Sequence, residues 1–254
     1  MAFIELNFFS EVLKKEETVN VIFPHGDYTD PNFPPRKTLY LLHGAFGNYN
    51  DWIRRTSIER YAQEKGLCVV MPSGYLSGYM DMRHGGSFYK YIVDELPQKM
   101  RSFFPLSDKR EDNYIAGLSM GGTGSLILGL SRPEQYSVIA SLSAGMEYLY
   151  GFLDDDIILD ERSGEQEYRI NVFENARKIA AGEKPPVRLF VSCGTEDGLL
   201  PKARATRDYI ESLKGDGIVF SYHESEGHHN WVFWDREIKH FIDFLELPNI
   251  SDVH

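Results

Sequence analysis

Three observations on this 254-residue chain predict an α/β fold, with a mostly parallel eight-stranded sheet and helices on both faces. Apolar strand-like runs alternate with helical patterns along the chain, which implies a doubly wound sheet. Several runs (TLYLLHG, LCVVMP, VRLFVSCG) are apolar nearly throughout, as suits parallel strands buried on both faces. Most of the runs end in glycine-containing turns. In such sheets ligands bind beyond the carboxyl ends of the strands.

Taken in order, AFIELNFF and ETVNVIFP alternate in polarity and read as half-exposed antiparallel edge strands. The six further strands are TLYLLHG, LCVVMPSG, NYIAGLS, SVIASLSAG, VRLFVSCG and IVFSYHESEG. Between them, SIERYAQEKG carries Ile58, Tyr61 and Ala62 at helical spacing. SFYKYIVDELPQKMRSFF repeats apolar residues at Phe88, Ile92, Leu96 and Met100, with Pro97 expected to kink or interrupt the helix. SMGGTGSLILGLS, ARATRDYIESLKG and VFWDREIKHFIDFLEL supply the remaining helices. Residues 1–254 read as one domain, with a cap or insertion at about 145–170. That acidic segment is either a solvated excursion or a cover whose Met146, Tyr148, Tyr150 and Phe152 line a pocket.

Hydrophobic residues are 42% and charged residues 26%, an ordinary globular balance. The net charge of −11 disfavours nucleic acid and anionic membranes as partners. No window has the roughly 18 apolar residues of a bilayer span. MAFIELNFFSEVLKKEE lacks the pattern of a signal peptide, so a cytoplasmic location is expected. Cys68 and Cys193 each sit in an apolar run and read as buried thiols, neither a disulfide nor a zinc site.

The chemistry gathers after the strands. Ser119 lies in GLSMG, a G-x-S-x-G sequence between an apolar strand and an apolar helical continuation. In a nucleophile elbow the serine occupies a strained strand-to-helix turn, which neighbouring glycines relieve. A serine needs a base, and the base an orienting acid, in the chain order Ser, Asp or Glu, His. CGTEDG follows the seventh strand and offers Asp197, with Glu196 the weaker choice. ESEGHHNW follows the eighth and offers His228 and His229, of which only one can serve as base. In LLHGAFGN the backbone N–H of Ala45, together with that of Met120 after the serine, suits an oxyanion. His43 reads as a brace for that loop. Phe46, Trp231 and Tyr79 are candidate substrate contacts, and Tyr79, Arg83 and His84 read either as leaving-group contacts or as surface loop.

Read together and in order, HGAFGNYNDW, YKYIVDELPQKMRSFFP, AGLSMGGTGS, SRPEQYSVIASLSAG, CGTEDGLL and GHHNWVFW resemble the esterase D family of α/β-hydrolases, in particular its tributyrin-esterase branch. The resemblance runs along nearly the whole chain. It implies an α/β-hydrolase fold and a serine carboxylic ester hydrolase acting on short acyl esters, acetyl to butyryl. It calls for no cofactor or metal, and mildly favours a homo-oligomer. It aligns His229, Trp231 and Trp234 with the branch's H-x-W-x-x-W pattern and so selects His229 as the base. Two departures stand out. Phe46 occupies a position where many relatives have glycine, which is expected to crowd the acyl pocket. The chain also lacks the S-G-L-T-C type segment of S-formylglutathione hydrolases. Feruloyl or carbohydrate acetyl esterase, S-formylglutathione hydrolase or thioesterase, and a non-catalytic binding module on the same fold are the alternative readings.

Overall fold

Period-two alternation along the strands sorts the core into two layers. In β3 (Thr38–Leu42), Leu39 and Leu41 join one buried cluster while Tyr40 and Leu42 join the other. The computed structural model, which describes residues 1–26, 30, 33–82, 85–147 and 171–250, shows all eight expected strands in one sheet. β1 (Ala2–Ser10) and β2 (Lys15–Phe23) form a hairpin, and β2 alone runs against the rest. β3, β4 (Cys68–Pro72), β5 (Asn113–Leu118), β6 (Val138–Leu142), β7 (Val187–Gly194) and β8 (Ile218–Ser225) are parallel. The spatial order is β1-β2-β4-β3-β5-β6-β7-β8.

One expectation needs correction. β2 is not an edge strand, because it lies between β1 and β4 and buries Val19, Val21 and Ile22 completely. β1 is the edge, and its outward Phe3 and Phe9 remain about half exposed.

Helices cover both faces. α1 (Asp51–Arg55), α2 (Ile58–Glu64) and α8 (Trp231–Phe244) bury Trp52, Ile58 and Phe241 against one face. The other face carries α3 (Phe88–Lys90), α4 (Leu96–Phe103), α5 (Met120–Ser131), α6 (Val172–Ala180) and α7 (Leu200–Ser212). The sequence reading did not find α1, which is only five residues long, or α6. α6 does carry a start signal, since Asn171 Oδ1 accepts the Glu174 N–H.

Pro97 distorts its helix without ending it. A π-helical turn, Tyr91–Glu95, joins α3 to α4 and puts the proline at the start of α4, where its missing N–H costs little. The Val93 carbonyl, four residues before Pro97, accepts a 2.8 Å hydrogen bond from the Gln135 side chain instead. Cys68 and Cys193 are free and buried, on β4 and β7. No helix among the described residues is long and apolar enough to cross a membrane. Of the segment read as a cap, only Gly145, Met146 and Glu147 lie within the described residues. Met146, a pocket-lining residue in the cover reading and exposed in the excursion reading, is packed in the core, and its N–H donates to Thr206 Oγ1 at 2.8 Å.

The two ends of the burial scale give a direct test. Ile115→Ala in the central strand should cost about 2–5 kcal/mol in urea unfolding. Phe9→Ala on the edge should cost about 1 kcal/mol or less. Equal losses would contradict this assignment of interior and edge.

Candidate active site

The loops that leave β3, β5, β7 and β8 meet at the carboxyl edge of the sheet. They enclose a cavity of about 630 Å³, with Ser119, His229, Ala45, Met120 and Trp231 among its lining. The seat of Ser119 is made by glycine. A Cβ at Gly117 would come within 2.3 Å of the Gly121 carbonyl oxygen, and one at Gly121 within 2.5 Å of His43 O. Only bare backbone lets the start of α5 approach β3 and β5 so closely. The turn forces Ser119 to φ 51°, ψ −120°, outside the common regions for an L-residue. Its N–H is held by Leu142 O at 2.9 Å and its carbonyl by the Thr123 N–H at 3.0 Å.

Asp197 and His229 arrive from adjacent parallel strands. The β7–β8 pairing ends at Gly194 and Ser225, but the ladder continues into the loops through Thr195 N–H to Ser225 O and Glu196 N–H to Gly227 O. This carries both loops outward side by side. His229 Nδ1 then lies 2.9 and 3.0 Å from the two Asp197 carboxylate oxygens. Its Nε2 lies 3.0 Å from Ser119 Oγ. Gly227 makes the bend at φ 156°, and a Cβ there would strike Phe233 at 2.4 Å. His228 is exposed, and its carbonyl accepts the Asn230 N–H. Glu196 accepts the Gly227 N–H at 2.8 Å, so it clamps the same loop.

The Asp197 side chain has no exposed surface. Burial is the largest influence on it and favours the neutral acid. Hydrogen bonds from His229 and the Leu199 N–H, helped by the Ser143 hydroxyl, outweigh that burial and hold the carboxyl below the usual aspartate range. An ionised carboxylate accepts only, so Nδ1 of His229 carries the proton and Nε2 presents its lone pair to the Ser119 hydroxyl. The bond to Leu199 N–H, 2.8 Å long, also shapes the entry to α7. Asp197 is therefore both a turn residue and the partner of His229.

Ser143 was missed by the sequence reading. It follows β6, sits at φ 53° and is fully buried. Its hydroxyl favours the ionised form of the Asp197 carboxylate and accepts the Trp234 indole N–H at 2.9 Å. Trp234 in turn packs edge-on against the His229 ring at 5.0 Å. The position just past a strand end was the available signal.

On the other side, His43 braces the loop after β3. Gly74 N–H donates to its Nε2 at 2.8 Å, so Nδ1 is protonated and donates to Gly44 O at 2.6 Å. Burial, partly opposed by that second bond, holds the ring below the ordinary histidine range. Among the described residues, no hydrogen bond takes up the N–H of Ala45 or Met120. Phe46 lines the cavity from its rim, 76% exposed, and adopts φ 64°, a conformation that glycine takes more readily. Trp231 lines the wall and packs edge-on between Trp52 and Trp234. Asp51 and Arg55 add polar groups that the sequence reading did not single out. Tyr79, expected to meet substrate, is fully buried instead. Its hydroxyl donates to His43 O at 2.8 Å, which makes it a second brace of the loop. Arg83 and His84 lie outside the described residues.

Comparison with known proteins now identifies the family. The family model described as Putative esterase matches residues 10–243. The chain belongs to this esterase family. It is 32% identical to an acetyl esterase of Caldicellulosiruptor saccharolyticus, over 99% of this chain and 100% of that protein. Among solved structures, it is similar to the fluorophosphonate-binding serine hydrolase F of Staphylococcus aureus in a substrate-bound form. That match has 31% identity and a TM-score of 0.84, covering 96% of this chain and 98% of that one. The S-formylglutathione hydrolase of Staphylococcus aureus matches at 31% identity and TM-score 0.81, with the same coverage. The chain is a carboxylesterase with an α/β-hydrolase-like fold.

The neutral His43 sets a pH dependence. Its folded pKa lies below the unfolded value of about 6.5, so the unfolded chain takes up the extra proton. The stability it contributes is complete above that value and is lost as pH falls through it toward the folded pKa. Thermal midpoints measured from about pH 8 to about pH 5 should therefore fall more steeply for the wild type than for His43→Gln. Parallel curves would refute the neutral assignment.

Proposed function

We propose that this esterase hydrolyses short-chain acyl esters, acetyl to butyryl, through a Ser119–His229–Asp197 triad and an acyl-enzyme. The observation that carries the reading is His229, within hydrogen-bond reach of Ser119 Oγ through one ring nitrogen and of Asp197 through the other. Ser119 Oγ attacks the ester carbonyl as His229 Nε2 takes its proton. Asp197 stays ionised, fixes the tautomer and stabilises the imidazolium. The N–H groups of Ala45 and Met120 receive the negative charge on the carbonyl oxygen. The imidazolium returns the proton to the leaving alcohol. Water then repeats the sequence in reverse to release the acid.

Ser143 and Trp234 act as positioning residues. The Ser143 hydroxyl favours the ionised Asp197 carboxylate and anchors the Trp234 indole, and Trp234 bounds the His229 ring. Trp231 and Phe46 face the substrate, while Asp51 and Arg55 offer polar contacts suited to an alcohol bearing hydroxyls. The acetyl esterase relative supports the short acyl group. The S-formylglutathione hydrolase at similar identity keeps a thioester reading as the second candidate.

Ser119→Ala should lower kcat by about 10⁴-fold or more, with His229→Ala comparable, because triad members act as a unit. His228→Ala should stay within about tenfold of wild type. A fluorophosphonate probe should label the wild type and not Ser119→Ala. Labelling of that variant, or a dead His228→Ala beside an active His229→Ala, would reject the assignment.

Chain length probes the pocket. Across acetyl to octanoyl esters of one alcohol, kcat/KM should peak at or below butyryl, and Phe46→Gly should move the peak toward longer acyl groups. The same panel with S-formylglutathione separates the two readings. A kcat/KM for the thioester well above the acetyl ester would favour the second.

A further inference from the structure

We propose that His223, Glu237 and His240 form a binding site for a zinc-class divalent transition-metal ion where α8 packs on the edge strand β8. None of the three lines the cavity at Ser119, and the esterase reaction derived above calls for no metal.

The geometry starts from spacing. Glu237 and His240 are three apart on α8, which stacks them on one helix face. His223, on β8, faces them from the sheet. His223 Nδ1 lies 2.6 Å and His240 Nδ1 3.6 Å from the same oxygen, Glu237 Oε2. All three donor atoms lie within 4.8 Å of one another, the one such group among the described residues. The two rings stand edge to face with centroids 5.0 Å apart.

The carboxylate is held for this arrangement. The Glu237 side chain has no exposed surface. Its other oxygen, Oε1, is taken by Arg236 Nε at 3.2 Å and by the Ser225 hydroxyl at 3.4 Å. Those bonds leave Oε2 turned toward both imidazoles, as outer partners commonly orient a ligating carboxylate. The histidine side chains are 38% and 44% exposed, so an ion has a route in and water can complete a fourth position.

Two imidazole nitrogens and one carboxylate oxygen suit Zn²⁺, Ni²⁺ or Cu²⁺. Mg²⁺ and Ca²⁺ prefer oxygen ligands throughout. With bonds of about 2.0–2.1 Å, tetrahedral ligands sit roughly 3.3 Å apart. The His240 contact is close to that already. The His223 hydrogen bond must open by about 0.7 Å, and the ring binds as the neutral tautomer with its proton on Nε2, so that the Nδ1 lone pair faces the ion. Arg236 also donates to the Glu226 carbonyl, in the loop that carries His229. An ion at this site therefore stiffens the support of that loop without touching it.

The test uses the full chain, stripped with a chelator and returned to metal-free buffer. Titration with Zn²⁺ should show one ion bound per chain at micromolar Zn²⁺ and a midpoint of thermal unfolding raised by about 3 °C or more. Mg²⁺ should do neither. His223→Gln and His240→Gln, at partly exposed positions, should each stay folded and lose both the ion and the shift. Three results would each overturn the site: no binding at about 100 µM Zn²⁺, an equal response to Mg²⁺, or unchanged binding and shift in both variants.

Discussion

The contact on which the rest of the site depends is the close approach of α5 to the sheet through Gly117 and Gly121. Neither position has room for a Cβ, because backbone oxygens occupy that space. The approach makes the turn between β5 and α5 so sharp that Ser119 is driven into a disfavoured conformation. The same turn brings Ser119 to the cavity wall and leaves the first N–H of α5 without a hydrogen-bond partner among the described residues. Strain of this kind persists only where its surroundings over-determine it. Here the Leu142 carbonyl, the Thr123 N–H and an α5 buried from Met120 to Leu130 do so.

Around that turn, parallel topology does most of the assembly. Each parallel strand discharges its loop at the same edge, so residues distant in sequence become neighbours without any long excursion of the chain. β7 and β8 show how finely this works. Their ladder continues past both strand ends, and the register sets Asp197 beside His229. The loop that carries His229 is then held from three directions, by Glu196, by Arg236 and by the packing of Phe233 against Gly227.

Environment, more than residue type, separates the histidines. His43 is buried and receives a backbone N–H, so it is neutral and structural. His229 has an ionised carboxylate on one side and a hydroxyl on the other, the arrangement a general base requires. His223 and His240 share a buried carboxylate and lie outside the lining of the Ser119 cavity.

Much of this was legible in the sequence. Eight strands, their alternation with helices, and the strand–turn–helix context of GLSMG follow from local periodicity and from glycine, both of which act over a few residues. The neighbourhood of strand ends singled out Ser119, Asp197 and the His228–His229 pair for the same reason. Tertiary structure alone decided the rest. It made β2 an interior strand, because pairing partners are chosen across the whole chain and not within a run. It turned Tyr79 inward to hold the His43 carbonyl and left Phe46 on the rim, since the side a loop residue faces depends on what packs beneath it. It brought Ser143 to Asp197 from a strand whose sequence announces only burial. Local pattern tells how a segment folds, but the partners of a hydrogen bond spanning dozens of residues exist only once the sheet has set its order.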